Sequence, residues 1–380
     1  MQTRHFSVIL SLIFLGSGLL GFRSPASIGS GSTTEPAHGA IYADSVGIAG
    51  RAKAPVVAAS AFAVVDGDSG ALLAGKNPHA AYAPASMTKI MTALVALQPG
   101  NLDRLLTSDV DATTMTGDSV MGLHRGEILS LGDLLYGLLV PSGDDAALVI
   151  ARGVSGSDAS FVARMNAEAA QLGLTETHFV NPHGLDADGH VASPYDLIQI
   201  ARAAMHFPFF RQVVATQHIV VTGKWIYDLT NTNYFLGKRP DVIGVKTGTT
   251  DRALHAITIA DDFDGHVFYI TIMHTPDYVP DGTTLLNYIR TGYRSTSLDL
   301  PTTALNQVIV AGKPAQLRVD SDYRPFLTRW AASTLTLEET LTPNSPLRAT
   351  DNPDLPPAND GVASFSAGGE PIARLPLVRR

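Results

Sequence analysis

The stretch that decides the fold reads Ala83-Pro84-Ala85-Ser86-Met87-Thr88-Lys89-Ile90-Met91-Thr92-Ala93-Leu94-Val95-Ala96-Leu97-Gln98-Pro99-Gly100. Met87, Ile90, Met91, Leu94 and Val95 recur at helical spacing and Pro99-Gly100 stops the run, so a helix is expected from Ser86 to Leu97. On that helix Ser86 and Lys89 lie one turn apart on the same face. A serine hydroxyl is a poor nucleophile until a base sits within hydrogen-bond reach. A partly buried lysine can be that base, because burial disfavours its charged form. At a helix start, free N–H groups and the positive dipole end favour negative charge developing at Ser86. Ser-x-x-Lys is a weak pattern by itself, but none of the other six lysines has a serine three positions before it.

Working outward, Ala59 to Val65 is apolar, Asp66-Gly67-Asp68-Ser69-Gly70 is turn chemistry, and Ala71-Leu72-Leu73 resumes a strand. That is a β-hairpin signal. Helices are expected at Leu131–Leu139, Asp144–Arg152 and Phe161–Leu172, and from Pro194 to about His206 with Ser193 as its cap. Strands are expected at Ile219–Val221, Ile243–Thr247, Leu254–Ala260 and Val267–Met273, with a closing helix at Leu285–Tyr293. Central helices flanked by strands imply an α/β (α+β) sandwich whose sheet joins distant parts of the chain. Beyond Leu300 the short candidates Gln307–Val310, Gln316–Val319, Ser364–Ser366 and Ile372–Val378 read as a small all-β module, interrupted by the proline-rich Thr342–Asn359.

Two further patterns carry chemistry. Lys246-Thr247-Gly248-Thr249 lies in a strand-like run. The lysine offers a fixed cation for a carboxylate, the two threonine hydroxyls are donors, and Gly248 lets a substrate backbone approach closely. An ordinary edge strand guarded by lysine reads equally well from these residues alone. Ser142-Gly143-Asp144 breaks two helices, where Ser142 can face a cleft or simply sit in a loop with Asp144 capping the next helix.

Ser-x-x-Lys, Ser-x-Asp and Lys-Thr-Gly in this order form the triplet of the serine penicillin-recognising enzymes. With Asn181-Pro182-His183-Gly184-Leu185-Asp186 and Gly244-Val245 before Lys246, the chain from Ala59 to Arg294 resembles the D-alanyl-D-alanine carboxypeptidase family. The closing Ile372–Val378 resembles the end of that family's C-terminal β domain. The resemblance implies a β-lactamase/transpeptidase-like catalytic domain, no cofactor and no metal. Its substrates would be peptidoglycan stem peptides ending in D-Ala-D-Ala, with β-lactams as covalent inhibitors. It further implies Ser86 as nucleophile, Lys89 as base and Ser142 as proton relay. Asp144, Lys246, Thr247, Gly248 and Thr249 would contact substrate, with Arg252 a further carboxylate candidate. The family's middle motif usually ends in Asn, whereas this chain has Asp144, whose charge would keep Lys89 protonated and oppose its role as base.

Rival readings are a β-lactamase-like hydrolase, a D,D-endopeptidase and an inactive wall or scaffold protein. No Glu-x-x-Leu-Asn stretch, which a class A β-lactamase would need for deacylation, lies between Ser142 and Lys246. A metallopeptidase would draw on His183, Asp186, Asp188 and His190, but these lack a helical His-Glu-x-x-His arrangement.

The 380 residues carry a net charge of −8, 45% hydrophobic residues and no cysteine. Clustered cations are missing, which argues against nucleic acid as partner. Thiol chemistry and disulfides are excluded. Arg4 and His5 before the apolar Phe6–Phe22 read as a secretory signal or an uncleaved anchor over residues 1–23, with membrane association through it. The expected order is then a Gly/Ser/Pro linker (24–55), the catalytic domain (56–300) and the β module (301–380), in a protein exported to the extracytoplasmic face of the membrane or to the wall.

Overall fold

The structure, a computed structural model, describes residues 8–11, 40–41, 55–68, 70–115, 117, 119–296, 298, 307–310, 313–319, 326–328, 335–341, 361–367 and 370–379. The chain divides into two compact units, Lys53–Thr291 and Met1–Ala52 together with Gly292–Arg380.

Strands β1 (Val8–Ser11) and β2 (Ala40–Ile41) belong to the second unit. The first unit is built on β3 (Ala61–Asp66), β4 (Leu72–Lys76), β9 (Val242–Thr250), β10 (Leu254–Phe263) and β11 (His266–Thr275), in the order β4-β3-β11-β10-β9. All pairings are antiparallel, and β3 joins β11 through registers such as Ala61↔Met273. The sheet thus unites segments far apart in sequence, as the pattern of elements implied. Two ribbons accompany it, β5 (Leu105–Thr107) with β6 (Ile128–Ser130) and β7 (His218–Thr222) with β8 (Ile226–Thr230).

Every residue of β3 is buried. Ala61, Ala63 and Val65 enter the main apolar cluster, while Phe62 and Val64 are buried on the opposite face. Both faces of the sheet are therefore covered, which is why the sequence shows an unbroken apolar run there and no alternation. The helices are α1 (Thr88–Leu97), α2 (Leu131–Leu139), α3 (Asp144–Ser155), α4 (Asp158–Gln171), α5 (Pro194–Met205), α6 (Pro208–Ala215) and α7 (Tyr278–Gly292). All ten residues of α1 are buried, as befits a helix placed inside the core. Ser130, Ser157 and Ser193 cap α2, α4 and α5 by accepting the N–H of Asp133, Ser160 and Asp196.

Three details depart from the sequence reading. Ser86 lies in a 3₁₀ turn, Ala85–Met87, and the α-helix starts at Thr88. The closing helix starts at Tyr278, a full two turns before Leu285, with Pro280 accommodated near its start. Helix α6 and strands β5, β6 and β8 were too short to announce themselves by periodicity.

The second unit pairs β12 (Tyr293–Ser295) with β15 (Phe326–Thr328). Its larger sheet combines β13 (Gln307–Val310), β14 (Lys313–Val319), β16 (Leu335–Leu341), β17 (Gly361–Ala367) and β18 (Glu370–Arg379) in the order β1-β16-β17-β18-β14-β13, with β2 also on β18. Leu337, Phe365, Ile372, Leu375 and Leu377 form its core. The four strands expected here correspond to β13, β14, β17 and β18. Of the apolar run Phe6–Phe22 only β1 is described, of the 24–55 linker only β2 and Pro55, and Thr342–Asn359 lies outside the described residues. Among the described residues no helix is long and apolar enough to cross a membrane.

The start of the first unit is fastened by one buried carboxylate. Asp281 of α7 accepts the N–H of Ala58 at 2.8 Å and of Ala59 at 2.9 Å, and the hydroxyl of Thr275 at 2.7 Å. Hydrogen bonds to a buried charge are among the strong ones, so Asp281→Ala is expected to cost about 3 kcal/mol of stability. Urea unfolding of the variant beside the parent measures it; a loss within experimental error would deny the carboxylate this fastening role.

Candidate active site

Helix α1 carries the amine into the core. Lys89 is 0% exposed, and its Nζ lies 2.8 Å from Ser86 Oγ, 2.5 Å from Asp144 Oδ1 and 2.7 Å from the carbonyl oxygen of His183. An ammonium group has three N–H donors and here it meets three acceptors. A neutral amine in the same place would donate to Asp144 and His183 and turn its lone pair to the Ser86 hydroxyl.

Asp144 is the first residue of α3, with Gly143 as the N-cap, so its side chain points to Lys89 and does not cap the helix. Its backbone N–H donates to the Ser119 carbonyl at 2.7 Å. Burial holds the Asp144 carboxyl above its ordinary value, against the opposing pull of the Lys89 charge and hydrogen bond. Ser142, two residues earlier, is buried with φ +71. Ala85, directly before Ser86, has φ +48. Non-glycine residues rarely adopt this region, and such outliers concentrate at functional sites.

Strand β9 forms one border of the sheet. Lys246 on it is 1% exposed, and its Nζ donates to the Thr247 carbonyl at 3.1 Å. Burial, and after it the positive charge of Lys89, pushes the Lys246 ammonium well below its ordinary value, while Asp144 pulls it up. The expected fixed cation is thus a buried amine whose charge needs an anion beside it. Thr247 Oγ1 meets Thr232 Oγ1 at 2.5 Å. Thr249, on the same side of the strand, is exposed and meets His255 Nδ1 at 3.0 Å.

Gly248 is needed for a different reason from the one its motif gave. A Cβ there would lie 2.9 Å from Ala85 Cβ, 3.1 Å from the Pro84 carbonyl oxygen and 3.1 Å from the Ser86 nitrogen. The space is filled by the turn bearing Ser86, and it is not left open for substrate. Gly184, at φ +98, does the same from the other side, since its Cβ would fall 1.9 Å from the Ala85 carbonyl oxygen.

Residues 180–190, whose polar side chains lack a metallopeptidase arrangement in the sequence, form the clamp on α1. Thr92 donates to the Pro182 carbonyl at 2.6 Å. His190 accepts the Val180 N–H at Nδ1 (2.9 Å), which leaves its proton on Nε2, donated to Thr88 Oγ1 at 2.8 Å. Asp186 accepts from Thr250 Oγ1 and the Arg252 N–H. The Arg252 guanidinium is exposed and turned to Asp188 at 2.8 Å, not to Ser86 or Lys246. Asp145 was not singled out from sequence. Its buried carboxylate accepts four backbone N–H groups, from Met121, Gly122, Leu123 and Ala146, and so fixes the segment beside Ser119. Thr232 was also missed, because nothing local in the sequence links it to Thr247.

A family model described as D-alanyl-D-alanine carboxypeptidase matches residues 48–273, more than half of the chain. The chain belongs to this family. It is 37% identical over 231 residues to the D-alanyl-D-alanine carboxypeptidase DacB2 of Mycobacterium tuberculosis, covering 60% of this chain and 78% of that one. It is 37% identical over 204 residues to DacF of Bacillus subtilis, covering 51% of this chain and 52% of that protein. The crystal structure of the Streptomyces K15 DD-transpeptidase superposes with a TM-score of 0.58 at 30% identity, over 62% of this chain and 98% of that one. The match therefore spans about half the length of the Bacillus carboxypeptidase, and the fold of the first unit is that of the β-lactamase/transpeptidase-like members of the family.

The clamp has a pH signature. Burial, with smaller contributions from His183 and His178, lowers His190 from 6.5 to about 4. A depressed histidine leaves folding stability intact above pH 6.5 and removes it as pH falls toward 4. The loss amounts to about 3 kcal/mol. Urea unfolding between neutral pH and pH 4 should show this decline in the parent and a flatter profile in His190→Gln. Parallel profiles would mean that His190 does not carry it.

Proposed function

We propose that this chain is a serine-type D-Ala-D-Ala carboxypeptidase that acts on peptidoglycan stem peptides through an acyl-enzyme on Ser86, and that β-lactams acylate the same serine. The observation that carries this reading is the 2.8 Å contact of Lys89 Nζ with Ser86 Oγ inside a site that keeps water from the amine. Neutral Lys89 takes the Ser86 proton as Oγ attacks the carbonyl of the penultimate D-Ala. The backbone N–H groups of Ser86 and Thr249 stabilise the oxyanion; the approach of residue 248 to the Ser86 nitrogen supports their closeness. Ser142 relays a proton to the departing D-Ala amine as the C–N bond breaks. Water then attacks the ester carbonyl and gives a proton to Lys89, which passes it to Ser86 Oγ as the ester C–O bond breaks, so that the hydroxyl and the neutral amine are restored.

The terminal carboxylate of the substrate is assigned to Lys246, Thr247 and Thr249. Lys246 is buried beside Lys89, so an arriving carboxylate restores the charge that burial opposes. Thr232 can donate to Thr247, which leaves the Thr247 proton for the carboxylate. Gly248 contributes by packing, and Arg252 could join only by exchanging Asp188 for substrate. The site of action is the extracytoplasmic face of the membrane or the wall, with the N-terminal segment as export signal or anchor.

Labelling with a fluorescent penicillin tests the nucleophile. A stable covalent adduct is expected on the parent and none on Ser86→Ala; adducts on both, or on neither, would defeat the assignment. Asp144 tests the base. An ionised carboxylate 2.5 Å from Nζ favours the ammonium form, which has no lone pair for Ser86. Asp144→Asn removes that charge from a dry pocket already holding a second amine, and should speed acylation about tenfold, the equivalent of one pK unit. Stopped-flow acylation no faster than the parent would refute the argument.

A further inference from the structure

Away from Ser86, three metal-ligating side chains converge where two turns meet. Strand β3 ends at Asp66, Asp68 follows in the turn, and His266 opens β11. Gly67, between the two aspartates, donates its N–H to the Val267 carbonyl at 2.8 Å, which pins that turn beside the histidine. Asp66 is paired with Phe268 across the ladder. Residues two apart on a strand share a face, so Asp66 and His266 project to the same side.

The distances are more telling than the proximity. His266 Nδ1 lies 3.4 Å from Asp66 Oδ1 and 3.5 Å from Asp68 Oδ2, and one ligand atom of each residue lies within 4.8 Å of the others. An imidazole that served one carboxylate would close to about 2.8 Å. Here the nitrogen stands nearly equidistant from two carboxylates at a longer range. Ligand atoms bound about 2.1 Å from a tetrahedral ion stand about 3.4 Å from one another. Asp66 and His266 are buried and held by the sheet, while the Asp68 side chain is 62% exposed. Two ligands are thus preset, and the third faces solvent and leaves an entry path. The neighbouring cation, Arg202, is directed to the Gly67 and Asp68 carbonyls at 2.9 and 3.2 Å, not to the carboxylates.

We propose that Asp66, Asp68 and His266 bind a divalent transition metal, with zinc the ion best suited to one imidazole nitrogen and two carboxylate oxygens. The ion is structural: it clips the β3–β4 turn to the β10–β11 turn, and water completes its coordination. The reaction at Ser86 does not depend on it.

The full chain, stripped with EDTA and dialysed, is titrated with zinc chloride by calorimetry and by thermal unfolding. One zinc per chain and a rise in Tm of about 5 °C are expected. Asp68→Asn alters an exposed side chain and keeps the fold, and His266→Gln replaces the nitrogen ligand; each should weaken binding at least about tenfold. Penicillin labelling of Ser86 should be equal with and without zinc, so a failure of the carboxypeptidase reading is seen separately. No binding by the parent at millimolar zinc, with Tm unchanged, would overturn the site. So would equal binding by both variants, which would place the ion at other surface histidines.

Discussion

A lysine amine without access to water is the constraint around which the first unit is arranged. Lys89 sits on a helix whose every residue is buried, so the packing of α1 carries its amine into the core. An amine there must be matched donor for donor. The three acceptors come from three separate segments: the turn before α1, the start of α3 and the 180–190 loop. Meeting that requirement places Ser86, Asp144 and the Asn181–Asp186 stretch at one point. The polar need of one side chain thus assembles the site, and the hydrophobic core holds it in place.

The same burial sets the charge balance. Two amines and one carboxylate share a dry pocket, and each shifts the others. Burial raises Asp144 and lowers Lys246, so both are pressed toward neutrality, while their attraction resists it. A neutral Asp144 would be close in shape and charge to the asparagine usual at this position, and an ionised one holds the Lys89 proton. Under the proposed function, a substrate carboxylate would add negative charge beside Lys246. Anion binding at Lys246 and protonation of this group of side chains would then be linked.

Much of this was legible in the sequence, for identifiable reasons. Helix α2 follows from apolar periodicity, and α5 from periodicity together with its Ser193 cap. The β3–β4 hairpin follows from an apolar run and an Asp-Gly-Asp turn. The order of the three motifs pointed to the family to which the chain belongs. What stayed hidden depends on contacts across long separations. Asp145 looks like any acidic residue in a first helical turn, yet it organises residues 24 positions away. Gly248 looked like an opening for substrate because its true neighbours, Pro84 to Ser86, lie far off in sequence. His190 and Asp186 read only as loop polarity, because sequence does not show the partners that consume it.

These hidden contacts explain why Ser86 is placed so tightly. The Ala85–Ser86 peptide is gripped between two glycines, Gly184 and Gly248, where any side chain would collide. Residues in strained backbone conformations persist only where their surroundings over-determine them. Ala85 at φ +48 is such a residue, and its surroundings are those two close backbone approaches. The clamp of Thr88, Lys89 and Thr92 on the 180–190 loop keeps Gly184 in position, and the β9–β10 ladder does the same for Gly248. Positional precision at Ser86 thus comes from packing against glycine backbone, with the polar contacts of Thr88, Lys89 and Thr92 holding Gly184 in place.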